Sequence, residues 1–260
     1  MRLPGRLAAL LASALLAGCA TGAQPAGTRS DTGLSGPVTV LAAASLTEAF
    51  STLGTRFETA HPGVAVRFSF GSSATLATQI RQGAPADVFA AANQSTMQSV
   101  TDAGLAGPSH TFATNTLQIA VPVGNPGRIT GLADFADSGR KIAICAPQVP
   151  CGAAARQLFR AAGVTAVPDT LEQDVKAALQ KVVLNEVDAA LVYRTDVVAA
   201  AGKVDGIDVP EADRVVNDYP VCILTSSSQT KTATAFVDYV LSAEGRKVLD
   251  DAGFGPPPGG

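Results

Sequence analysis

The feature that most constrains the fold of this 260-residue chain is a short apolar strand followed at once by a serine turn and a helix start. In residues 38–50, VTVLAAASLTEAF, the valines and alanines predict a buried strand. Ser45 and Glu48 then match the capping-box pattern, in which the serine oxygen accepts a backbone N–H of the new helix. Free N–H groups and the helix dipole make such a turn a candidate anion site, whereas simple capping is the alternative explanation of Ser45.

The same succession of strand, small turn and helix recurs further along the chain. A predicted strand at residues 64–70 leads into Gly71-Ser72-Ser73 and then into an apolar helical run. A predicted strand at residues 141–145 leads through two prolines to another helix start. Because the carboxyl ends of neighbouring strands in an open α/β sheet line one crevice, Ser45 and Ser73 are predicted to share a site. Capping by Ser72 or Ser73 is again the alternative.

Strands alternate with helices throughout the predicted body, which is typical of a mostly parallel α/β protein. The body is long enough for two lobes of ordinary domain size. Residues 170–184 are predicted to form one amphipathic helix, because their apolar side chains recur with helical spacing. The expected fold class is therefore α/β, with two lobes of mixed, mostly parallel sheets that carry helices on both faces.

The amino terminus has the pattern of an export signal. Arg2 and Arg6 precede an apolar run at residues 7–17, which is too short to span a bilayer as a helix. Leu16-Ala17-Gly18-Cys19 resembles a bacterial lipobox, so Cys19 is predicted to be the lipid-modified first residue of an extracytoplasmic, membrane-anchored protein. A chance cysteine beside an ordinary signal is the alternative. The predicted divisions are a signal peptide at 1–18, a flexible tether at 19–37, lobe 1 at 38–116 plus 222–255, lobe 2 at 117–221 and a tail at 256–260.

The charge of the exported chain excludes one class of partner. Removal of residues 1–18 takes away two of the 19 basic residues and none of the 22 acidic ones, which leaves a net charge of −5. Proteins that bind nucleic acid carry basic patches that neutralise phosphates. We therefore expect no nucleic-acid partner.

The cysteines predict a disulfide. With Cys19 assigned to lipid, an oxidising compartment favours one bridge among Cys145, Cys151 and Cys222. The short loop between Cys145 and Cys151 makes that pair the predicted one, with Cys222 buried as a small apolar residue. A zinc site is the weaker alternative, because neither of the two histidines has ligand spacing to a cysteine.

Six segments of the chain match, in order, the motifs of a known family. They are AAASLTEAF at 42–50, FGSSATLATQI at 70–80, GAPADVFAAA at 83–92, VPCG at 149–152, DVKAAL at 174–179 and DAALVYRTD at 188–196. These segments resemble the molybdate-binding proteins of bacterial ABC transporters, and the similarity extends from about residue 38 to residue 254. The resemblance implies a periplasmic-binding-protein-like (type II) fold, in which two crossing strands join the lobes and the oxyanion binds in the cleft between them.

The resemblance also implies which groups would hold the anion. Ser45 and Ser73 would each donate from the hydroxyl and the backbone amide, and the other donors would come from the opposite lobe. Those donors are the backbone amides of Cys151 and Val175 and the hydroxyl of Tyr193. Cys151 stands where the family commonly has alanine, a change that a backbone donor tolerates. Arg194 follows Tyr193 and is interpreted either as a charge that alters anion preference or as a solvated surface residue.

The function implied by the resemblance is that of a monomeric solute-binding protein that captures molybdate and tungstate for an ABC permease. It would be no enzyme and would carry no cofactor besides its ligand. Another tetrahedral oxyanion, such as sulfate or phosphate, is one alternative. An exported hydrolase with Ser45 or Ser73 as nucleophile is another, but such an enzyme needs an oriented base. The chain has no G-x-S-x-G motif, and His61 and His110 both fall in predicted loops.

Overall fold

The computed structural model describes residues 33–259, so the predictions on Cys19, on residues 1–18 and on most of the tether lie outside the described residues. Between residues 33 and 259, no helix is long and apolar enough to cross a membrane.

Ten strands form within residues 33–259. In chain order they are β1 (Gly36–Ala43), β2 (Val64–Gly71), β3 (Val88–Ala90), β4 (His110–Asn115), β5 (Leu117–Pro122), β6 (Ile142–Cys145), β7 (Thr170–Glu172), β8 (Ala189–Tyr193), β9 (Val204–Ile207) and β10 (Asn217–Ile223). The first of them begins inside the predicted tether.

The same residues form eight α-helices and three short 3₁₀ turns. The helices are α1 (Thr47–Ala60), α2 (Ser73–Arg81), α3 (Gln94–Thr101), α4 (Pro150–Ala162), α5 (Val175–Val183), α6 (Arg194–Ala199), α7 (Thr230–Leu241) and α8 (Ala243–Asp251). The 3₁₀ turns are Ala44–Leu46, Leu132–Ala136 and Pro210–Arg214.

The strands form two five-stranded mixed sheets. The first has the order β2-β1-β3-β10-β4 and the second the order β7-β6-β8-β5-β9. In the first sheet β1, β2 and β3 are parallel and β10 is antiparallel to both of its neighbours. In the second sheet β6, β7 and β8 are parallel and β5 is antiparallel to both of its neighbours. The prediction of mixed, mostly parallel sheets is confirmed.

Helices cover both faces of the first sheet and bury two apolar clusters there. On one face Phe50 of α1 packs against Phe236 of α7, with their ring centroids 6.3 Å apart. On the other face Leu76 of α2 lies in the cluster that also holds Met97 of α3 and the free thiol of Cys222. Burial of large apolar side chains of this kind stabilises each layer by about 1.5–3 kcal/mol per side chain.

The chain passes between the two sheets twice. The first passage is at Thr116, between β4 and β5, and the second lies between the turn Pro210–Arg214 and β10. We call the first sheet with its helices lobe 1 (residues 33–115 and 217–259) and the second sheet with its helices lobe 2 (residues 116–216). The sequence-based division between residues 116 and 117 falls at the first passage, and the division between residues 221 and 222 falls inside β10.

The prediction of one helix over residues 170–184 is wrong. Residues Thr170–Glu172 form β7, which pairs in parallel with β6, and the helix begins only at Val175. Asp174 is the N-cap of that helix, and its carboxylate accepts the backbone N–H of Ala177 at 3.0 Å. The apolar spacing of residues 170–172 fits a helix and a strand equally well, so periodicity alone did not distinguish between the two kinds of structure.

Candidate functional site

The carboxyl ends of the parallel strands in the two sheets lead to one region between the lobes. All five predicted donor residues follow such strand ends, and each of them is at most 4% exposed. They are Ser45 after β1, Ser73 after β2, Cys151 after β6, Val175 after β7 and Tyr193 at the end of β8.

Ser45 lies in the 3₁₀ turn between β1 and α1. The predicted capping box is wrong, because the N-cap of α1 is Leu46 and the cap makes no side-chain hydrogen bond. The hydroxyl of Ser45 lies 2.9 Å from the hydroxyl of Tyr219, a residue of β10. The 3₁₀ turn shifts the helix start by one residue, which frees Ser45 to face the strand that connects the lobes.

Ser73 is the first residue of α2, and Ser72 is its N-cap. The hydroxyl oxygen of Ser73 accepts the backbone N–H of Ala92 at 3.0 Å, so Ser73 does not cap its helix. The hydroxyl of Ser72 is buried and makes no hydrogen bond within the described part of the chain. Buried polar groups are almost always paired, so an unpaired hydroxyl at a helix amino terminus points to a partner outside the chain.

Cys151 lies in the first turn of α4, and Cys145 and Cys151 form a disulfide, the pair that the sequence favours. Neither cysteine is therefore available as a thiolate metal ligand. The next residue must be glycine, because a Cβ on Gly152 would lie 1.9 Å from the carbonyl oxygen of Ala146. The amino-terminal amides of a helix have no partner within that helix, so the amide of Cys151 can donate to a ligand.

Val175 is the first residue of α5, and its side chain packs in the core of lobe 2 together with Cys151 and Tyr193. Only its backbone amide can serve a polar ligand. The residue that follows, Lys176, places its ammonium group 2.8 Å from Glu48 Oε2 of lobe 1 and 3.1 Å from Asp196 Oδ1 of lobe 2. Sequence analysis did not single out this group of charges.

The charges of Lys176 and Asp196 compensate each other, with the side chain of Asp196 fully buried and that of Lys176 25% exposed. Burial raises the pKa of Asp196 to about 6, although the nearby Lys176 ammonium acts in the opposite direction. The pKa of Lys176 is raised above its ordinary value. Burial acts to lower this pKa, but the carboxylates of Asp196 and Glu48 together outweigh the effect of burial. The other carboxylate oxygen of Asp196 accepts the backbone N–H of Tyr193 at 3.1 Å.

The side chain of Tyr193 in lobe 2 also reaches lobe 1. Its hydroxyl lies 3.1 Å from Nδ2 of Asn217, and its ring centroid lies 6.0 Å from that of Tyr219. Burial raises the pKa of both phenols above the ordinary value. Both hydroxyls therefore stay protonated and can donate hydrogen bonds.

The structure thus links three of the predicted donors, Ser45, Ser73 and Tyr193, through residues of the connecting strands. Tyr219 contacts Ser45. Asn217 donates hydrogen bonds to the hydroxyl of Tyr193 and to the carbonyl oxygen of Ala92. The backbone N–H of Ala92 in turn donates to the hydroxyl of Ser73. Val175 and Cys151 join this group through the core of lobe 2. Sequence analysis missed Tyr219, Asn217 and Asn115, because each has a partner at least 80 residues away along the chain.

The histidines do not lie beside the serines. His61 follows α1 just before β2 begins, and His110 begins β4, which runs in the same direction as β1. Both are therefore at the amino-terminal edge of the sheet, whereas Ser45 and Ser73 follow its carboxyl-terminal edge. Arg194 is exposed at the start of α6, on a surface groove that also contains Asp213.

Known proteins similar to this chain include a family, a close relative and solved structures. The model of the family described as bacterial extracellular solute-binding protein matches residues 38–255. The molybdate-binding protein ModA of Mycobacterium tuberculosis is 41% identical over 254 residues, which cover 97% of each chain.

Among solved structures, the periplasmic molybdate-binding protein of Azotobacter vinelandii matches with a TM-score of 0.73 at 24% identity, over 85% of this chain and 99% of that one. The sulfate-binding protein SubI of Mycobacterium tuberculosis matches with a TM-score of 0.74 at 19% identity, over 86% of this chain and 88% of that one. The fold alone therefore does not distinguish between the two anions.

Proposed function

The chain belongs to the family of bacterial extracellular solute-binding proteins, and from this premise we propose that it captures molybdate, and tungstate with it, for an ABC permease. As a solute-binding protein of this family it is not an enzyme. The observation that supports the choice of an oxyanion is that the five predicted donor residues are buried and neutral and lie at or after strand ends in both lobes. Ser45 and Ser73 come from lobe 1, and Cys151, Val175 and Tyr193 come from lobe 2.

Neutral donors suffice to hold a doubly charged anion. A hydrogen bond to a charged group contributes roughly 1.5–3 kcal/mol, so several that converge on one oxyanion give tight binding. Three of the predicted donor residues, Ser73, Cys151 and Val175, lie in the first turns of α2, α4 and α5. Each of these helices has at least nine residues. Their amino-terminal amides and helix dipoles favour negative charge. The buried, unpaired hydroxyl of Ser72 gives further support at the start of α2.

The choice of molybdate over sulfate is supported by the close relative and by size. A molybdate-binding protein is 41% identical to this chain along almost its whole length. Molybdate and tungstate have nearly the same radius, whereas sulfate is smaller and would leave some fixed donors unpaired in a desolvated site. Unpaired buried donors cost enough to produce strong discrimination.

Calorimetric titration of the full chain with molybdate, tungstate and sulfate tests this function. We expect molybdate and tungstate to bind alike and sulfate to bind far more weakly. Ser73→Ala and Tyr193→Phe should each reduce molybdate affinity by about tenfold or more, since each removes a donor to a charged ligand. Val175→Ala keeps its amide and is the matched control. Loss of binding in Arg194→Gln, with no effect of the serine and tyrosine changes, would show that a cation holds the ligand.

We also propose that the chain is a monomer anchored outside the cytoplasm by lipid on Cys19. The support is the pattern Leu16-Ala17-Gly18-Cys19 together with membership in an extracellular family. Mass spectrometry of membrane-extracted protein should find a diacylglyceryl adduct that Cys19→Ala lacks. Light scattering of the detergent-extracted protein should give the mass of one chain. An unmodified and freely secreted chain would disprove the anchor.

A further inference from the structure

Two buried asparagines face each other on the strands that connect the lobes. Asn115 ends β4 and Asn217 begins β10, and the two residues are paired across the sheet. Both side chains are buried, and neither belongs to the donor set that the sequence predicts. A buried amide must be hydrogen-bonded, so the direction of each bond can be followed from its partners.

The contacts with backbone groups fix which end of each amide carries the nitrogen. Asn217 Nδ2 lies 2.8 Å from the carbonyl oxygen of Ala92, which can only accept. Asn115 Oδ1 lies 3.0 Å from the backbone N–H of Thr116, which can only donate. The nitrogen of Asn217 therefore also donates to the hydroxyl of Tyr193 at 3.1 Å.

The nitrogen of Asn115 has two hydroxyl partners. It donates to Thr195 Oγ1 at 2.8 Å and, through a longer bond of 3.4 Å, to the hydroxyl of Tyr219. A hydroxyl has one hydrogen and two lone pairs, so a hydroxyl that accepts from an amide keeps its own hydrogen for another partner. The hydroxyl of Tyr219 also lies 2.9 Å from Ser45 Oγ, and either of these two hydroxyls can be the donor in that bond.

The same rule applies to the other two donor hydroxyls. Tyr193 accepts from Asn217, and Ser73 accepts from the N–H of Ala92. Neither spends its own hydrogen in these bonds. Tyr193 and Ser73 are thus held as acceptors by Asn217 and by the segment after β3, which leaves their hydrogens out of these bonds.

We propose that Asn217 is a positioning residue that orients the hydroxyl hydrogen of Tyr193 toward the bound oxyanion. This inference rests on the proposed function and deepens it, because it defines the ligand class. A hydroxyl whose hydrogen is directed at the ligand suits an oxyanion without protons. Hydrogen phosphate must itself donate a hydrogen bond and is disfavoured.

Asn217→Ala in the full chain tests the role of this residue. Without the amide, the hydroxyl of Tyr193 can turn and accept a hydrogen as well as donate one. We expect molybdate affinity to fall about tenfold, while hydrogen phosphate, measured by competition with molybdate, binds as before or better. The selectivity for molybdate over hydrogen phosphate should therefore fall. Asn115→Ala should change this selectivity less, because the hydroxyl partners of Asn115 are Thr195 and Tyr219.

A second variant keeps the size of the side chain. In Asn217→Asp a carboxylate accepts the hydrogen of Tyr193, so molybdate affinity should fall more than in Asn217→Ala at pH 8 and recover as the pH is lowered and the carboxyl is protonated. Asn125→Ala is the control for loss of a structural asparagine, because its amide bonds only Ile129 in a loop of lobe 2. It should leave the selectivity unchanged.

The outcomes separate the two proposals. A wild-type chain that binds no oxyanion overturns the proposed function and the positioning role with it. A wild-type chain that binds molybdate, with an Asn217→Ala variant that weakens both anions equally and an Asn217→Asp variant without pH-dependent recovery, overturns the positioning role alone.

Discussion

The ammonium group of Lys176 lies 2.8 Å from the carboxylate of Glu48, and this ion pair joins the two lobes beside the candidate site. Lys176 directly follows Val175 in the first turn of α5, and Glu48 lies three residues after Ser45 in α1. Separation of the lobes would break the pair. The pair should therefore favour the arrangement in which the predicted donors of the two lobes are close together.

We expect the two partners of this pair to differ in importance. Glu48 is half exposed, so Glu48→Gln should cost about 0.2–1 kcal/mol and weaken molybdate binding only a few-fold. Lys176→Met also leaves the buried carboxyl of Asp196 without its cation, so it should reduce both affinity and stability more. Calorimetry and urea unfolding measure the two effects.

Lys181→Met is the matched control for these changes, because Lys181 pairs with Glu186 on the surface of lobe 2 at 2.7 Å. It should leave molybdate binding unchanged. Equal losses in Lys176→Met and Lys181→Met would contradict a role for the pair between the lobes.

The pKa of Asp196 predicts a pH dependence of stability. Burial raises this pKa from 3.8 to about 6, so between these values the folded chain binds a proton that the unfolded chain releases. The contribution of Asp196 is therefore fully present below about pH 4 and is lost as the pH rises through about 6. Relative to Asp196→Asn, which does not titrate, the wild-type free energy of unfolding should fall by about 3 kcal/mol across this window. Urea unfolding at several pH values would reveal a flat difference if the carboxyl were unperturbed.

Gly152 gives a steric test of the start of α4. A Cβ at this position would meet the backbone carbonyl of Ala146, which cannot move aside as a side chain could. Gly152→Ala should therefore destabilise the fold by about 1–3 kcal/mol and displace the amide of Cys151. Gly131→Ala is the control, since a Cβ there meets nothing within 4 Å. Thermal unfolding and molybdate titration should separate the two variants, and equal behaviour would disprove the steric argument.

Local sequence patterns predicted those parts of the fold that depend on neighbours along the chain. Runs of small and β-branched residues predicted β1 and β2, and the turn after each predicted a helix start. The pattern failed at residues 170–172, where three residues satisfy both periods and only pairing with β6 makes them a strand. It also failed at Ser45, because the capping motif matched while the serine hydroxyl contacts Tyr219, 174 residues away.

The site could be predicted only in part for the same reason. The pattern of strand, turn and helix start indicated Ser45 and Ser73. The other predicted donors came from resemblance to a family, since nothing in the spacing of Val175 or Cys151 distinguishes a ligand amide from an ordinary helix start. The contacts of Lys176 with Glu48 and of Asn217 with Tyr193 depend on how the two lobes meet. Short-range periodicity carries no information about that arrangement.

The disulfide between Cys145 and Cys151 should stabilise the fold and restrain the loop that precedes α4. It closes a short loop, so its removal should cost about 2 kcal/mol in free energy of unfolding. Cys145→Ser with Cys151→Ser should lower molybdate affinity less than Gly152→Ala does, because the amide of residue 151 remains at the helix start. The thiol of Cys222 is buried and free. Reducing agent should therefore have the same effect on the wild-type chain and on the Cys222→Ala variant. Peptide mapping without reduction that found Cys222 in a disulfide, or unfolding that did not respond to reductant, would show that this bridge does not hold the loop.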